Sequence, residues 1–147
     1  PEHIQINGNI MYSQLIQLSF DKIMQTRTYT VIVLKAHEKK FAIYVEPGIG
    51  KHLQSYLTDV EKPRPLTHDL ISSIFKGFDI KVRQVVINDI QDTVYFARLF
   101  LEQQKGDVRH IVEIDARPSD CIILALMHNA PVYCAKEVVE KAIPVIE

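Results

Sequence analysis

The chain has 147 residues, 47% hydrophobic and 24% charged, the balance of an ordinary globular domain long enough to bury a core. Its formal charge is −1, from 17 Lys and Arg against 18 Asp and Glu, so it lacks the basic excess of a large nucleic-acid footprint. No apolar run approaches the roughly 18–20 residues of a membrane span and no signal-peptide pattern is present, so a cytoplasmic protein with no membrane partner is expected. In chain order, residues 10–24 alternate apolar and polar side chains and predict a long strand. Residues 28–34 are β-branched and apolar on both faces, as in a central strand. A charged turn at 37–40 leads to a strand at 41–45. Pro47, Gly48 and Gly50 then break the pattern. Ile49, Leu53, Tyr56, Leu57 and Val60 recur at helical spacing, and a second helix follows, ending near Gly77.

The second half begins again with strands. Residues 80–87 form one, with a bulge expected at Gln84 where the alternation slips. A turn at 89–92, a strand at 93–101, a polar turn at 103–107 and a strand at 108–114 come next. A helix from Pro118, a short strand at 131–134 and a final helix from Lys136 to about Ala142 complete the chain. Each half reads as three strands followed by a helix. The expectation is one compact α+β domain over residues 1–147, a duplicated β-β-β-α plan with a mixed or antiparallel sheet and helices packed on it. Residues 29–34 and 94–101 are apolar on both faces, more surface than one small domain easily covers, so a homo-oligomer is expected, most simply a dimer. Cys121 and Cys134 have no second pair and no ligand-spaced His, and are read as reduced, buried small hydrophobes.

Two stretches carry chemistry. Asp115-Ala116-Arg117-Pro118-Ser119-Asp120 precedes the apolar run 121–127. Pro118 suits a first helical position, and Asp120 falls in the first turn, where the helix dipole favours a carboxylate. Lys62-Pro63-Arg64-Pro65-Leu66-Thr67-His68-Asp69-Leu70 repeats this grammar before Leu70, Ile71, Ile74 and Phe75. Thr67 is read as its N-cap, and Thr67 and Ser119 as capping hydroxyls. Asp115 and Asp120 suit Mg²⁺, Mn²⁺ or acid–base work, and equally a dipole-complementing residue and a salt-bridge partner of Arg117 or Arg64. Arg64 and Arg117 have the fork that grips a phosphate, or they pair with Asp69 and Asp120 in a network joining the motifs. His68 beside Asp69 is a general base or ligand with a carboxylate to steer its ring, or a structural hydrogen-bonder. His3, His37, His52, His110 and His128 show no ligand spacing and are assigned no role. The charged entrances are expected to lie close together, since each needs partners if partly buried.

The two motifs in this order, with Ala130-Pro131-Val132-Tyr133 after the second, resemble the bifunctional nuclease domain family from about Ser13 to Ala142. The resemblance implies phosphodiesterase activity on DNA or RNA. Arg64, Pro65, Thr67, His68 and Asp69 match one family motif, and Asp115, Arg117, Pro118, Ser119 and Asp120 the other. Relatives also carry an acidic, alanine-rich helix start after the third strand, where this chain has Glu46-Pro47-Gly48-Ile49-Gly50 and lacks the second acid. The implied assignment makes Asp115 and Asp120 the ligands of Mg²⁺ or Mn²⁺, His68 the base with Asp69 behind it, and Arg64 and Arg117 the phosphate grip. The competing reading is a non-catalytic binding or regulatory domain in which both motifs are charge networks.

Overall fold

The computed structural model describes residues 4–6, 14–59, 61 and 63–145, with side chains from residue 14 onward. Residues 10–13 of the first expected strand, and Lys62, lie outside them. After a short strand β1 (Ile4–Ile6), alternation produces the antiparallel meander β2 (Leu15–Gln25), β3 (Thr30–Ala36) and β4 (Lys39–Val45). Helix α1 (Pro47–Thr58) folds back over β2 and β3, and α2 (Thr67–Gly77) follows. A second meander, β5 (Ile80–Gln91), β6 (Val94–Lys105) and β7 (Val108–Ala116), is followed by α3 (Pro118–Met127), which packs on β5 and β6. The described chain ends with β8 (Val132–Ala135) and α4 (Lys136–Lys141). Among the described residues no helix is long and apolar enough to cross a membrane.

The strands form one eight-stranded mixed sheet in the order β1-β7-β6-β5-β8-β2-β3-β4. The duplicated β-β-β-α plan is therefore visible in the topology. The first strands of the two meanders, β2 and β5, flank β8, which is parallel to β5 and antiparallel to β2. β2 pairs with β8 over residues 15–18 and with β3 from residue 19, with a bulge between Phe20 and Lys22. Phe41 on β4 stacks on Tyr95 at the start of β6, ring centres 5.5 Å apart, although these strands stand far apart in the sheet order. The sheet must curl around its helices for that contact to form. Ile32, Leu34, Leu53, Val85, Ile87 and Ile123 are fully buried in the resulting core.

Several expectations need correcting. The turn expected at 89–92 is confined to Asp92 and Thr93, and the one at 103–107 to Gly106 and Asp107, because the polar residues before them still pair in the β5–β6–β7 ladder. Asp92 and Gly106 take the left-handed conformation that such two-residue hairpins require (φ 57° and 60°). The bulge at Gln84 is present, and a second occurs between Ile87 and Asp89. Thr30, Val31, Ile32, Val33 and Leu34 are all buried within one chain, so β3 does not need a second copy to cover it. Exposed apolar residues remain, with Leu70 and Ile74 along one side of α2, Phe78 just past its end, and Tyr29, Tyr44 and Val94 at the strand ends. Cys121 and Cys134 are free and buried, and burial pushes both thiols up to about 12, which keeps them protonated and inert.

Candidate active site

α3 is buried along most of its length, with Ser119 and residues 121–125 all enclosed, so its entrance is held at a fixed place. Arg117 is the N-cap in an extended conformation (φ −64°, ψ 142°), and Pro118 occupies the first turn, where its missing N–H is not needed. Glu46 and Pro47 begin α1 in the same way (φ −64°, ψ 147°). In both helices the carbonyl of this cap residue accepts the first helical bond, from Gly50 N–H and from Cys121 N–H at 3.1 Å each. The structural counterpart of the Asp115–Asp120 motif in the first half is thus Glu46-Pro47-Gly48-Ile49, with Glu46 matching Arg117. The 62–70 motif instead opens the additional helix α2.

The entrances of α2 and α3 do meet, as the sequence led us to expect. His68 Nε2–H donates to Asp120 Oδ1 at 2.9 Å. Arg117 Nε–H donates to Asp120 Oδ2 at 3.0 Å, and its terminal nitrogen lies 3.4 Å from Oδ1. The His68 bond, with Arg117 assisting, holds the Asp120 carboxyl below its usual value despite the opposing pull of burial. The bond to Asp120 raises the Arg117 guanidinium, and Glu46 adds to that effect. A carboxylate only accepts, so neutral His68 carries its proton on Nε2 and leaves Nδ1 as the basic nitrogen. His68 is only 4% exposed, and Nδ1 has no hydrogen-bond partner among the described residues.

Other expected residues fall elsewhere. The carboxylate behind His68 is Asp120, not its neighbour Asp69, which accepts from Tyr56 Oη at 3.0 Å and from Leu66 N–H at 2.7 Å. Asp69 therefore caps α2 from inside. Thr67 is not the N-cap: Leu66 is, because the extended segment after Pro65 places it there, and no Thr67 hydroxyl bond closes the helix. Ser119, displaced into the first turn by Pro118, caps nothing and is buried. Arg64 is exposed, and of the network expected of Arg64 and Arg117 with Asp69 and Asp120 only the Arg117–Asp120 pair is seen among the described residues. Asp115 sits opposite Arg98 in the β6–β7 ladder, where alternation turns it away from Ile114 and Ala116. Those two residues line the cavity beside Asp120 and Asp115 does not. Among the described residues no three His, Cys, Asp or Glu gather as a metal-holding group.

That cavity, about 490 Å³, lies between α1, α2 and α3 and over β6 and β7. His68, Asp120, Arg117 and Thr67 line it together with His52 and an apolar wall. His52 is the residue the sequence reading missed. Its ring meets that of His68 edge-on, centres 6.2 Å apart, and its own Nδ1 is buried without a partner among the described residues. The available signal was its register on α1, between Ile49 and Tyr56 on the inward side. Two imidazoles, a guanidinium and a carboxylate at one cavity are groups that can exchange protons and attract an anion.

A family model for the bifunctional nuclease domain matches residues 32–147. An uncharacterized protein of Mycobacterium tuberculosis is 34% identical over 83 residues, 56% of this chain and 46% of its own length. Bifunctional nuclease 1 of Arabidopsis thaliana is 30% identical over 84 residues, 57% of this chain and 26% of the relative. Bifunctional nuclease 2 of the same plant is also 30% identical over 84 residues, 25% of its length. The chain thus spans less than half the length of these curated relatives.

Proposed function

Because the chain belongs to the bifunctional nuclease domain family, we propose that it is a phosphodiesterase acting on DNA or RNA through the His68–Asp120–Arg117 centre. The observation that carries this reading is the bond from buried His68 to Asp120 beside a cavity that also holds Arg117 and His52. Asp120 fixes the ring and the tautomer of His68, whose Nδ1 takes the proton from the attacking hydroxyl or water. Arg117 offers its guanidinium to the charge that builds on the phosphoryl oxygens. His52, the facing imidazole, gives a proton to the leaving oxygen. Mg²⁺ or Mn²⁺ belongs to this proposal as an ion brought by the substrate phosphate, since such ions take one or two carboxylates plus substrate oxygens, and it would supply charge neutralisation there.

The bonds on both Asp120 oxygens also favour a second reading, in which the centre is a clamp tying α2 to α3 in a non-catalytic binding or regulatory domain. One experiment separates the two. Wild type and Asp120→Asn are incubated with single- and double-stranded DNA and RNA in Mg²⁺, Mn²⁺ or EDTA, and their melting is measured alongside. The nuclease reading expects cleavage by wild type and a loss of about 10²–10⁴-fold in the variant. It expects Tm to fall by only about 2–6 °C, since Asp120 is part-exposed. A wild type that leaves every substrate intact retires it in favour of the clamp.

Self-association belongs to the same proposal. Leu70 and Ile74 on α2 and Phe78 just past its end are exposed, and we expect Ile74→Glu to lower the mass seen by light scattering from that of a dimer to that of a monomer. A monomeric wild type at tens of micromolar, roughly the range of weak dimers, would count against it.

A further inference from the structure

A second cavity, about 720 Å³, opens beside the first, and the two share Arg117 and Ile49 in their walls. It lies between the curled ends of the sheet. Tyr29 and Tyr44 come from the first meander, Val94 and Tyr95 from the tip of the β5–β6 hairpin, and Glu46 and Arg117 from the helix entrances. Tyr44 is 67% exposed and Tyr29 41%, which is unusual for rings that line a concavity. They hold each other edge to face, centres 5.4 Å apart and planes at 69°, so one ring braces the other while its outward face stays open. Deeper in, Tyr95 is stacked on Phe41 and fixed, and burial lifts its hydroxyl to about 12, so it remains a neutral donor.

We propose that this second cavity is a nucleobase subsite, in which an unpaired base stacks on Tyr44 while the adjoining phosphate is held at Arg117. The inference rests on the phosphodiesterase reading above and adds the substrate class: single-stranded nucleic acid. Charge sets the polarity. Arg117 stands at the boundary between the cavities, where a phosphate can reach it, and Glu46 on the tyrosine side repels phosphate but accepts from an amino or imino N–H of a base. An open aromatic face suits an unstacked base and offers nothing to one paired inside a duplex. The neutral overall charge then ceases to be an objection, because base stacking supplies binding that a basic surface would otherwise provide.

The test is fluorescence anisotropy of a labelled single-stranded 12-mer in EDTA, beside a strand of the same length with abasic sites and a duplex of the same sequence. Wild type is expected to bind the base-containing strand most tightly. Tyr44→Ala should weaken that binding about five- to hundred-fold, with the abasic strand unaffected and Tyr44→Phe close to wild type. Equal loss on both strands, or none on either, overturns the subsite, as does a shift in scattering mass with Tyr44→Ala, which would mark the patch as a contact between copies. The two readings fail separately. A protein that binds single strands through Tyr44 but cleaves nothing keeps the subsite and loses the catalytic assignment, whereas one that cleaves at the wild-type rate with Tyr44→Ala and binds unchanged does the reverse.

Discussion

Replacing His68 with Gln is expected to slow phosphodiester cleavage by about 10²–10⁴-fold, the usual contribution of a positioned acid or base, while Tm moves by only a few degrees. The choice of Gln follows from the geometry. Its amide nitrogen occupies the place of imidazole Nε2 and can still donate to Asp120 Oδ1, so the link between α2 and α3 survives. What it lacks is a basic nitrogen at the Nδ1 position. If the centre were only a clamp, this variant would melt like wild type and there would be no rate to lose. His52→Gln provides the companion measurement, and a comparable loss is expected if the facing ring protonates the leaving oxygen. A His68→Gln protein that cleaves at the wild-type rate would sink the acid–base assignment, whatever its fold.

The largest structural effect is expected at Gly50. Here α1 comes close against β3: a Cβ added at Gly50 would stand 2.5 Å from Cβ and Cγ2 of Thr30 and still closer to its hydroxyl. Thr30 is fully buried at the start of β3 and has nowhere to move. Gly50→Ala should therefore cost about 1–3 kcal/mol or more through overpacking and lower Tm by roughly 5–10 °C. It should also reduce cleavage, because α1 carries Glu46, Ile49 and His52 to the two cavities. Gly48, two residues earlier in the same helix, is the control. A Cβ there meets nothing within 4 Å, and Gly48→Ala is expected to stabilise by up to about 1 kcal/mol through helix propensity. If the two substitutions had equal effects on melting, the close approach would not be what requires glycine at position 50.

The contrast between these glycines shows where the sequence is legible. Period and punctuation are local, so the β-branched run of β3, the proline start of α3 and the slip at Gln84 read correctly from the chain, whereas Pro47, read as a break, opens α1. Hairpin tips read less well, because Asp89-Ile90-Gln91 and Gln103-Gln104 look like turns but continue the ladder past the edge of the core. The Arg117–Asp120 pair was among the pairings the sequence offered, but the partner of His68 was not legible. Two carboxylates were available to His68, and the one next to it in sequence went to Tyr56 and the Leu66 N–H, leaving Asp120 from another helix. Such a choice depends on how α1, α2 and α3 lie over the sheet, which no spacing encodes. The same applies to Tyr29 and Tyr44, which sit in separate strands and form a pair only when β3 and β4 are in register.

The position of β8 bears on how the protein is made. Its four residues join the two meanders, and through them Leu15 pairs with Ala135 across nearly the whole chain. During synthesis, β2–β3–β4 and β5–β6–β7 therefore leave the ribosome as separate hairpin stacks, each with its first strand unpaired on one side. Those two open edges are templates for pairing with the wrong chain until β8 arrives between them. A nascent chain stalled before residue 132 should for that reason aggregate or recruit a chaperone, and release of the next few residues should be the step that commits the sheet to its native order.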